Sequence, residues 1–215
     1  MDQFASLLAP GSIGSVHTEG PSNSLHLPWL TTSSVKQYTL VFPIITGENK
    51  ICLGLKKRGF GVGRYNGFGG KVEPGETVLD AAKRELLEEA NITAIKISSC
   101  GRMYFAFENS PVLMDVHVYR IEEWEQEPEE TEEMLPKWHS TLPAAQAESV
   151  FLPSIPFDNM WPDDELWFPL FLAKKSFVGR VDFNKPVDGE KNSKMEDGPM
   201  RKWWFAEASL DSMKA

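Results

Sequence analysis

Three glutamates, Glu85, Glu88 and Glu89, stand at i, i+3 and i+4, a spacing that gathers their side chains on one face of any helix containing them. Like charges one turn apart on a helix each cost roughly 0.2–0.5 kcal/mol. The usual relief, a basic residue one turn away, is available only to Glu88, through Arg84. Glu85 has Ala81, Ala82 and the other two glutamates at that distance, and Glu89 also has Leu86, Ile92 and Thr93. Such a face suits a hard divalent cation, because Mg²⁺ takes carboxylate and carbonyl oxygens, waters and the phosphates of a substrate. From spacing alone, a solvated acidic helix face is the competing reading.

The chain around these glutamates specifies a helix. Thr77 with Asp80 three residues on is a capping-box pattern that starts it, Leu79, Leu86 and Ala90 form its expected apolar stripe, and Asn91 suits its stop. Before it runs KKRGFGVGRYNGFGGKVEPGE, whose glycines would let backbone approach phosphates closely, although an ordinary turn-rich connection would look the same. Further upstream, QYTLVFPIIT and KICLGLKKR flank Gly47-Glu48-Asn49 as a β-hairpin, with Pro43 at an edge or bulge. Beyond the helix, CGRMYFAFE and LMDVHVYRIE read as strands, the second with Met114, Val116 and Val118 on its buried face. Residues 124–133 read as an acidic loop and 139–154 as a surface insertion. PFDNMWPDDELWFPLFLAKK reads as a helix after Pro162, SFVGRVDF as a strand, and RKWWFAEA as a final edge strand after a flexible segment, within 186–215.

The 215 residues allow one domain with tails. The net charge of −9 argues against gripping a nucleic-acid polymer, which needs a basic stripe, yet leaves nucleotides open as substrates if a cation meets their phosphates. Two cysteines, Cys52 and Cys100, suit a reducing compartment, and no apolar run reaches membrane-spanning length. Residues 1–34, rich in Ser, Gly, Pro and Thr, are expected to be a disordered extension. They carry no Arg or Lys, which speaks against mitochondrial targeting. A monomer in the cytoplasm, with access to the nucleus, is the expectation.

From Gly70 the chain runs Gly, five residues, Glu76, seven residues, Arg84-Glu85-Leu86, one residue, Glu88-Glu89, one residue, Asn91, Ile92. This spacing resembles the box of the Nudix family, which hydrolyses nucleoside diphosphates linked to another moiety. The departure is Asn91, where the family usually has Gly, and both residues tolerate positive φ. The stretches YTLVF, KKRGFGVGRYNGFGGKVEPGET, LMDVHVY and PFDNMWPDDELWFPL, between Tyr38 and about Phe183, resemble the MutT-type branch that sanitises oxidised purine nucleoside triphosphates. Tyr65 stands where that branch has tryptophan.

The resemblance implies an α+β fold, an α/β/α sandwich with a mixed β-sheet flanked by helices, over a domain at 35–185. It implies Mg²⁺-dependent hydrolysis of 8-oxo-dGTP or 2-oxo-dATP to the monophosphate and pyrophosphate, with Mn²⁺ as a substitute metal. Carried over by position, the metal ligands are Gly69 through its carbonyl, Glu85, Glu88, Glu89 and Glu133. Glu89 or Glu85 positions and deprotonates water, with Arg84 holding the carboxylates. The base pocket is Thr39, Lys56, Phe60, Asn66, Phe105, Met114, Trp161, Pro162, Asp163 and Asp164, and Phe68, Gly69, Gly70 and Lys71 lie near the phosphates. The alternatives are a Nudix enzyme acting on dinucleoside polyphosphates, nucleotide sugars or methylated purine triphosphates, and a non-catalytic nucleotide binder. Intact, mutually repelling acids weigh against the binder.

Overall fold

The computed structural model describes residues 15–24, 26–147, 151–186 and 198–209. The first part of the expected N-terminal extension, residues 148–150 of the expected insertion, and residues 187–197 and 210–215 of the expected flexible end lie outside them. Two compact units interleave along the chain. One contains Tyr38–Ser99 and His117–Asp164; the other contains the described residues of Met1–Gln37, Cys100–Val116 and Glu165–Ala215.

In the first of these, the hairpin forms as expected. Strand β2 (Ser34–Ile45) turns through a 3-10 segment at Thr46–Glu48 into β3 (Lys50–Lys56), and Asn49 closes the turn in the left-handed region at φ 53°. Ile44 faces Ile51 and Ile45 faces Lys50. Pro43 stands where the partner of β2 changes, between that ladder and the Val41–Phe68 bridge, which is where a missing N–H is tolerated. Strand β3 also carries the short β4 (Tyr65–Asn66) and pairs with β7 (Met134–Ser140) from Lys50↔Ser140 to Lys56↔Met134. This corrects the start of the expected insertion. His139 and Ser140 are buried β7 residues, and past them come a short helix, α2 (Ala144–Ala147), and a bridge from Ser154 back to Ser140.

The carboxylate helix α1 spans Val78–Ala90. Thr77 caps it by accepting from the Asp80 N–H at 3.1 Å, and Asn91, at φ 56°, ends it with its N–H on the Leu87 carbonyl. The apolar stripe differs from the expectation. Leu86 and Ala90 are buried, but Leu79 is exposed, and Ala81, Ala82 and Glu89 complete the buried face. Leu86, Ala82 and Ala90 join Val41, Cys52, Phe68, Ile92, Tyr119, Ile121 and Met134 in one core cluster. Burying a leucine side chain contributes about 1.5–3 kcal/mol, enough to fix the helix's rotation and carry Glu89 inward with it.

The other unit contains β1 (Ser15–Gly20), the N-terminal part of β6 (Val112–Glu125), the C-terminal part of β5 (Thr93–Phe107), β8 (Phe177–Phe183) and β9 (Met200–Glu207), with helix α3 (Asp164–Leu172) contributing from Glu165. The strand order is β1-β9-β8-β5. β5 and β8 run parallel while β8–β9 and β9–β1 are antiparallel, so the sheet is mixed and the class α+β, as expected. Trp167, Phe168, Phe171 and Phe177 pack ring to ring, and Trp204, Val178, Tyr104, Ala106 and Leu113 form a second cluster. In β6 the expected alternation fails. Val116 and Val118 are buried and Met114 only partly, but Leu113 and Asp115 are buried as well, the latter by a two-pronged pair with Arg102 at 2.8 Å.

Two further expectations are corrected here. Ser15–Gly20 of the presumed disordered extension is a strand, because its polar residues gain a backbone ladder on β9. The residues after it are also tied down: Asp182 accepts the Leu30 N–H, Arg180 donates to the Leu30 carbonyl at 2.7 Å, Lys202 donates to the Leu27 carbonyl at 2.8 Å, and both cations lie over the Trp29 ring. Since β1 covers β9, β9 is an interior strand and not an edge.

Candidate active site

The glycine loop is placed by pairing with β2. Val41 and Phe68 exchange N–H···O bonds of 2.6 and 2.9 Å, the Thr39 N–H reaches the Gly70 carbonyl at 2.8 Å, and Tyr38 bridges to Lys71. The Phe68 ring goes into the core, so only its backbone is available to a substrate. Gly69 and Gly70 then meet the acids. Glu89 Oε2 accepts from the Gly69 N–H at 2.8 Å, and a Cβ on Gly70 would sit 2.5 Å from Glu85 Oε1. Two carboxylates of α1 are thus seated on two adjacent glycines.

The acids are not free of counter-ions, as helix spacing suggested. Lys56, placed by resemblance in the base pocket, donates to Glu89 Oε1 at 2.6 Å and to Glu133 Oε2 at 3.2 Å. Arg84 spans more than the one partner expected: it donates to Glu76 at 2.7 and 3.1 Å, to Glu85 at 2.9 Å, to Glu88 at 3.0 Å and to the Lys71 carbonyl at 3.2 Å. Arg58, unnoticed in the sequence, donates to Glu133 at 2.6 Å. Lys56 and Arg58 lie more than seventy residues before Glu133, beyond the reach of helix-spacing rules, whereas the place of Glu76 in the box was the legible signal for its bond to Arg84.

Burial pushes the Glu89 pKa up, with the Lys56 bond and the Gly69 N–H working the other way. Burial likewise raises Glu85, against the pull of Arg84. Glu133 is held low by Arg58 and then Lys56, and Glu76 by Arg84 and then the Glu73 N–H. For Lys56, burial opposes its charge, but Glu89 and then Glu133 more than offset that and raise it. Carboxylates with raised pKa values beside others held ionised are suited to exchanging protons.

The base-pocket candidates divide. Phe60, 43% exposed, stacks on Trp161 with centroids 5.1 Å apart, and the Arg64 guanidinium lies 4.9 Å from the Trp161 ring centre. Arg64, another residue missed in the sequence, also donates to the Met160 carbonyl at 3.0 Å. Asp163 and Asp164 are buried; Asp164 accepts the Trp161 N–H at 3.0 Å, while Pro162 is exposed. Thr39 is buried, and its Oγ1 has no hydrogen-bond partner among the described residues. The Asn66 side-chain oxygen accepts the Gly67 N–H at 2.8 Å. Phe105 and Met114 belong to the other compact unit, where both are partly buried and Phe105 lies 6.3 Å from Phe183.

A profile of the NUDIX domain matches residues 37–162. The chain belongs to the Nudix family. It is 46% identical over 151 residues to a mouse protein named oxidized purine nucleoside triphosphate hydrolase, covering 70% of this chain and 88% of that one. A zebrafish protein of the same name is 46% identical over 148 residues, covering 69% and 86%. Among solved structures, a MutT protein from Bacillus halodurans superposes with a TM-score of 0.58 at 20% identity, over 79% of this chain and 97% of that one, a likeness of fold.

This Nudix chain is therefore a member of a hydrolase family that works with divalent metal ions. Its expected ligands, Gly69, Glu85, Glu88, Glu89 and Glu133, offer only oxygens, a donor set that fits a hard divalent cation. Among the described residues, however, no three acidic, histidine or cysteine side chains are arranged to hold a metal ion together. The Nudix acids are drawn into two groups, Glu89 and Glu133 around Lys56, and Glu85, Glu88 and Glu76 around Arg84.

Proposed function

We propose that this protein hydrolyses oxidised purine nucleoside triphosphates, such as 8-oxo-dGTP and 2-oxo-dATP, to the monophosphate and pyrophosphate with Mg²⁺. The observation that carries the substrate class is the 46% identity to the mouse hydrolase of that name across 88% of its length. Glu85, Glu88, Glu89, Glu133 and the Gly69 carbonyl would hold Mg²⁺, which when bound neutralises phosphate oxygens and lowers the pKa of water.

The chain's own residues supply the rest. Glu89, buried and fixed by the Gly69 N–H, takes the proton of the attacking water, with Glu85 beside it on Gly70. Arg84 keeps Glu85 and Glu88 aligned by bonding both while Glu76 orients its guanidinium. Trp161 offers an aromatic face to the base, and Asp163 and Asp164 face its polar edge, where a protonated carboxyl can donate and an ionised one only accept. Purified protein assayed for pyrophosphate release with Mg²⁺ should act on oxidised purine triphosphates in preference to dGTP and dATP. Preference for ordinary nucleotides, a dinucleoside polyphosphate, a nucleotide sugar or a methylated purine triphosphate would overturn the substrate assignment. Absence of turnover on all of them would overturn the enzyme reading.

A further inference from the structure

We propose that Lys56 competes with a divalent cation for Glu89 and Glu133, and so acts as a positioning residue that sets metal affinity. The inference rests on the reading of this site as a metal-dependent hydrolase. A single ammonium holds both carboxylates, at 2.6 and 3.2 Å, with the Lys56 side chain 17% exposed and that of Glu89 2%. Both oxygens of Glu89 are engaged, Oε1 by Lys56 and Oε2 by the Gly69 N–H.

One of these partners has to yield when a cation takes the carboxylate, because two cations sharing a buried carboxylate at contact distance repel strongly. Gly69 has little freedom to move, since the loop around it is bonded to β2 at Val41 and Thr39. Lys56 can yield. Its backbone is fixed, pairing with Met134 and exchanging bonds with Gly63 and Arg64, but its side chain has a flexible four-carbon stem. When the ammonium swings away, Arg58 still holds Glu133 in position. Lys56 thus orients two ligands without sealing them.

The test is Mn²⁺ binding to the full chain without nucleotide, followed by calorimetry and Mn²⁺ electron paramagnetic resonance. Lys56→Met should bind Mn²⁺ about tenfold more tightly than the wild type, the scale of one charge-assisted hydrogen bond, while Lys56→Arg should stay close to the wild type. If Lys56→Met binds Mn²⁺ no more tightly, the inference is overturned, and a rise in KM alone in that variant would place Lys56 on the nucleotide instead. If the wild type itself binds no Mn²⁺, the metal-dependent reading fails and takes the inference with it. A second measurement needs no variant. Acetylation of the wild-type lysines, read by mass spectrometry, should modify Lys56 faster when Mg²⁺ is added, and a rate at Lys56 unchanged by Mg²⁺ would also overturn the proposal.

Discussion

Adding one methyl group at Gly70 should separate the position of Glu85 from the stability of the fold. The new Cβ would lie 2.5, 2.6 and 2.7 Å from Glu85 Oε1, Cδ and Oε2, against an ordinary contact of 3.4–4 Å, so the carboxylate must retreat by about 1 Å, a misplacement that can cost about 10²-fold in rate. Because the obstructing atoms are the far end of a flexible side chain and Gly70 lies outside the left-handed region, the backbone accepts alanine. Its lower unfolded-state entropy returns about 0.4–1 kcal/mol. Gly70→Ala is therefore expected to keep its melting temperature within a few degrees while kcat/KM for oxidised purine triphosphates falls by about 10²-fold. Gly69→Ala is the control. Its Cβ would run into the Thr39 carbonyl and Leu40 Cα, backbone atoms of β2, and overpacking of this kind costs about 1–3 kcal/mol. Pyrophosphate-release kinetics and thermal melts on both variants decide the matter. Full activity in Gly70→Ala, or a loss of stability equal to that of Gly69→Ala, would refute the placement of Glu85.

Glu89→Gln should lower kcat by at least about 10²-fold, the scale of an acid–base group, with only a modest fall in melting temperature, because its single amide oxygen can keep one of the two bonds from Gly69 and Lys56; near-normal steady-state turnover would remove Glu89 from the chemistry. Asp163→Asn and Asp164→Asn should each shift the ratio of kcat/KM for 8-oxo-dGTP and 2-oxo-dATP, by different factors of about tenfold, and an unchanged ratio in both would take the two aspartates out of base recognition. In the other unit, burial raises the pKa of Asp182 while Arg180 and the Leu30 N–H pull it down. A raised carboxyl contributes stability that is complete below its unfolded pKa, near 3.8, and is lost as pH rises through the folded value. Asp182→Asn, which cannot titrate, should lack this pH dependence, and urea melts should show wild-type stability falling relative to Asp182→Asn as pH rises.

Local signals served the sequence reading well where they were short-ranged. Thr77 and Asn91 bound the helix because cap chemistry acts over three or four residues, and Gly47-Glu48-Asn49 marked the hairpin because turn geometry is equally local. Helix spacing put the acids on one face of one helix, but it could not tell that Glu89 is buried. Only packing reveals that Leu79 points outward and Glu89 inward. Charge balance was misread for the same reason. Lys56 is more than thirty residues from Glu89 in the chain and more than seventy from Glu133, and becomes their counter-ion only once β3 is laid beside β7. Strand β1 escaped notice because SVHTEG has no apolar alternation; its place comes from backbone pairing with a strand nearly two hundred residues later. The base-pocket candidates rest on resemblance alone, and the family was legible through the spacing of its box and not through any physical pattern of the fold.

The pairing of β1 with β9 also bears on how this protein can be handled. β9 reads MRKWWFAE, and along β1 it meets Gly20 opposite Trp203, Glu19 opposite Trp204 and Thr18 opposite Phe205. A chain shortened to begin at Ser34 would present that aromatic strand with a row of unsatisfied backbone groups, a surface on which other copies can add strands. Asp182 would at the same time lose the Leu30 N–H. Self-association on storage, growing with protein concentration and relieved by restoring the residues from Ser15, is the behaviour to expect of such a fragment, even with every glutamate of α1 in place.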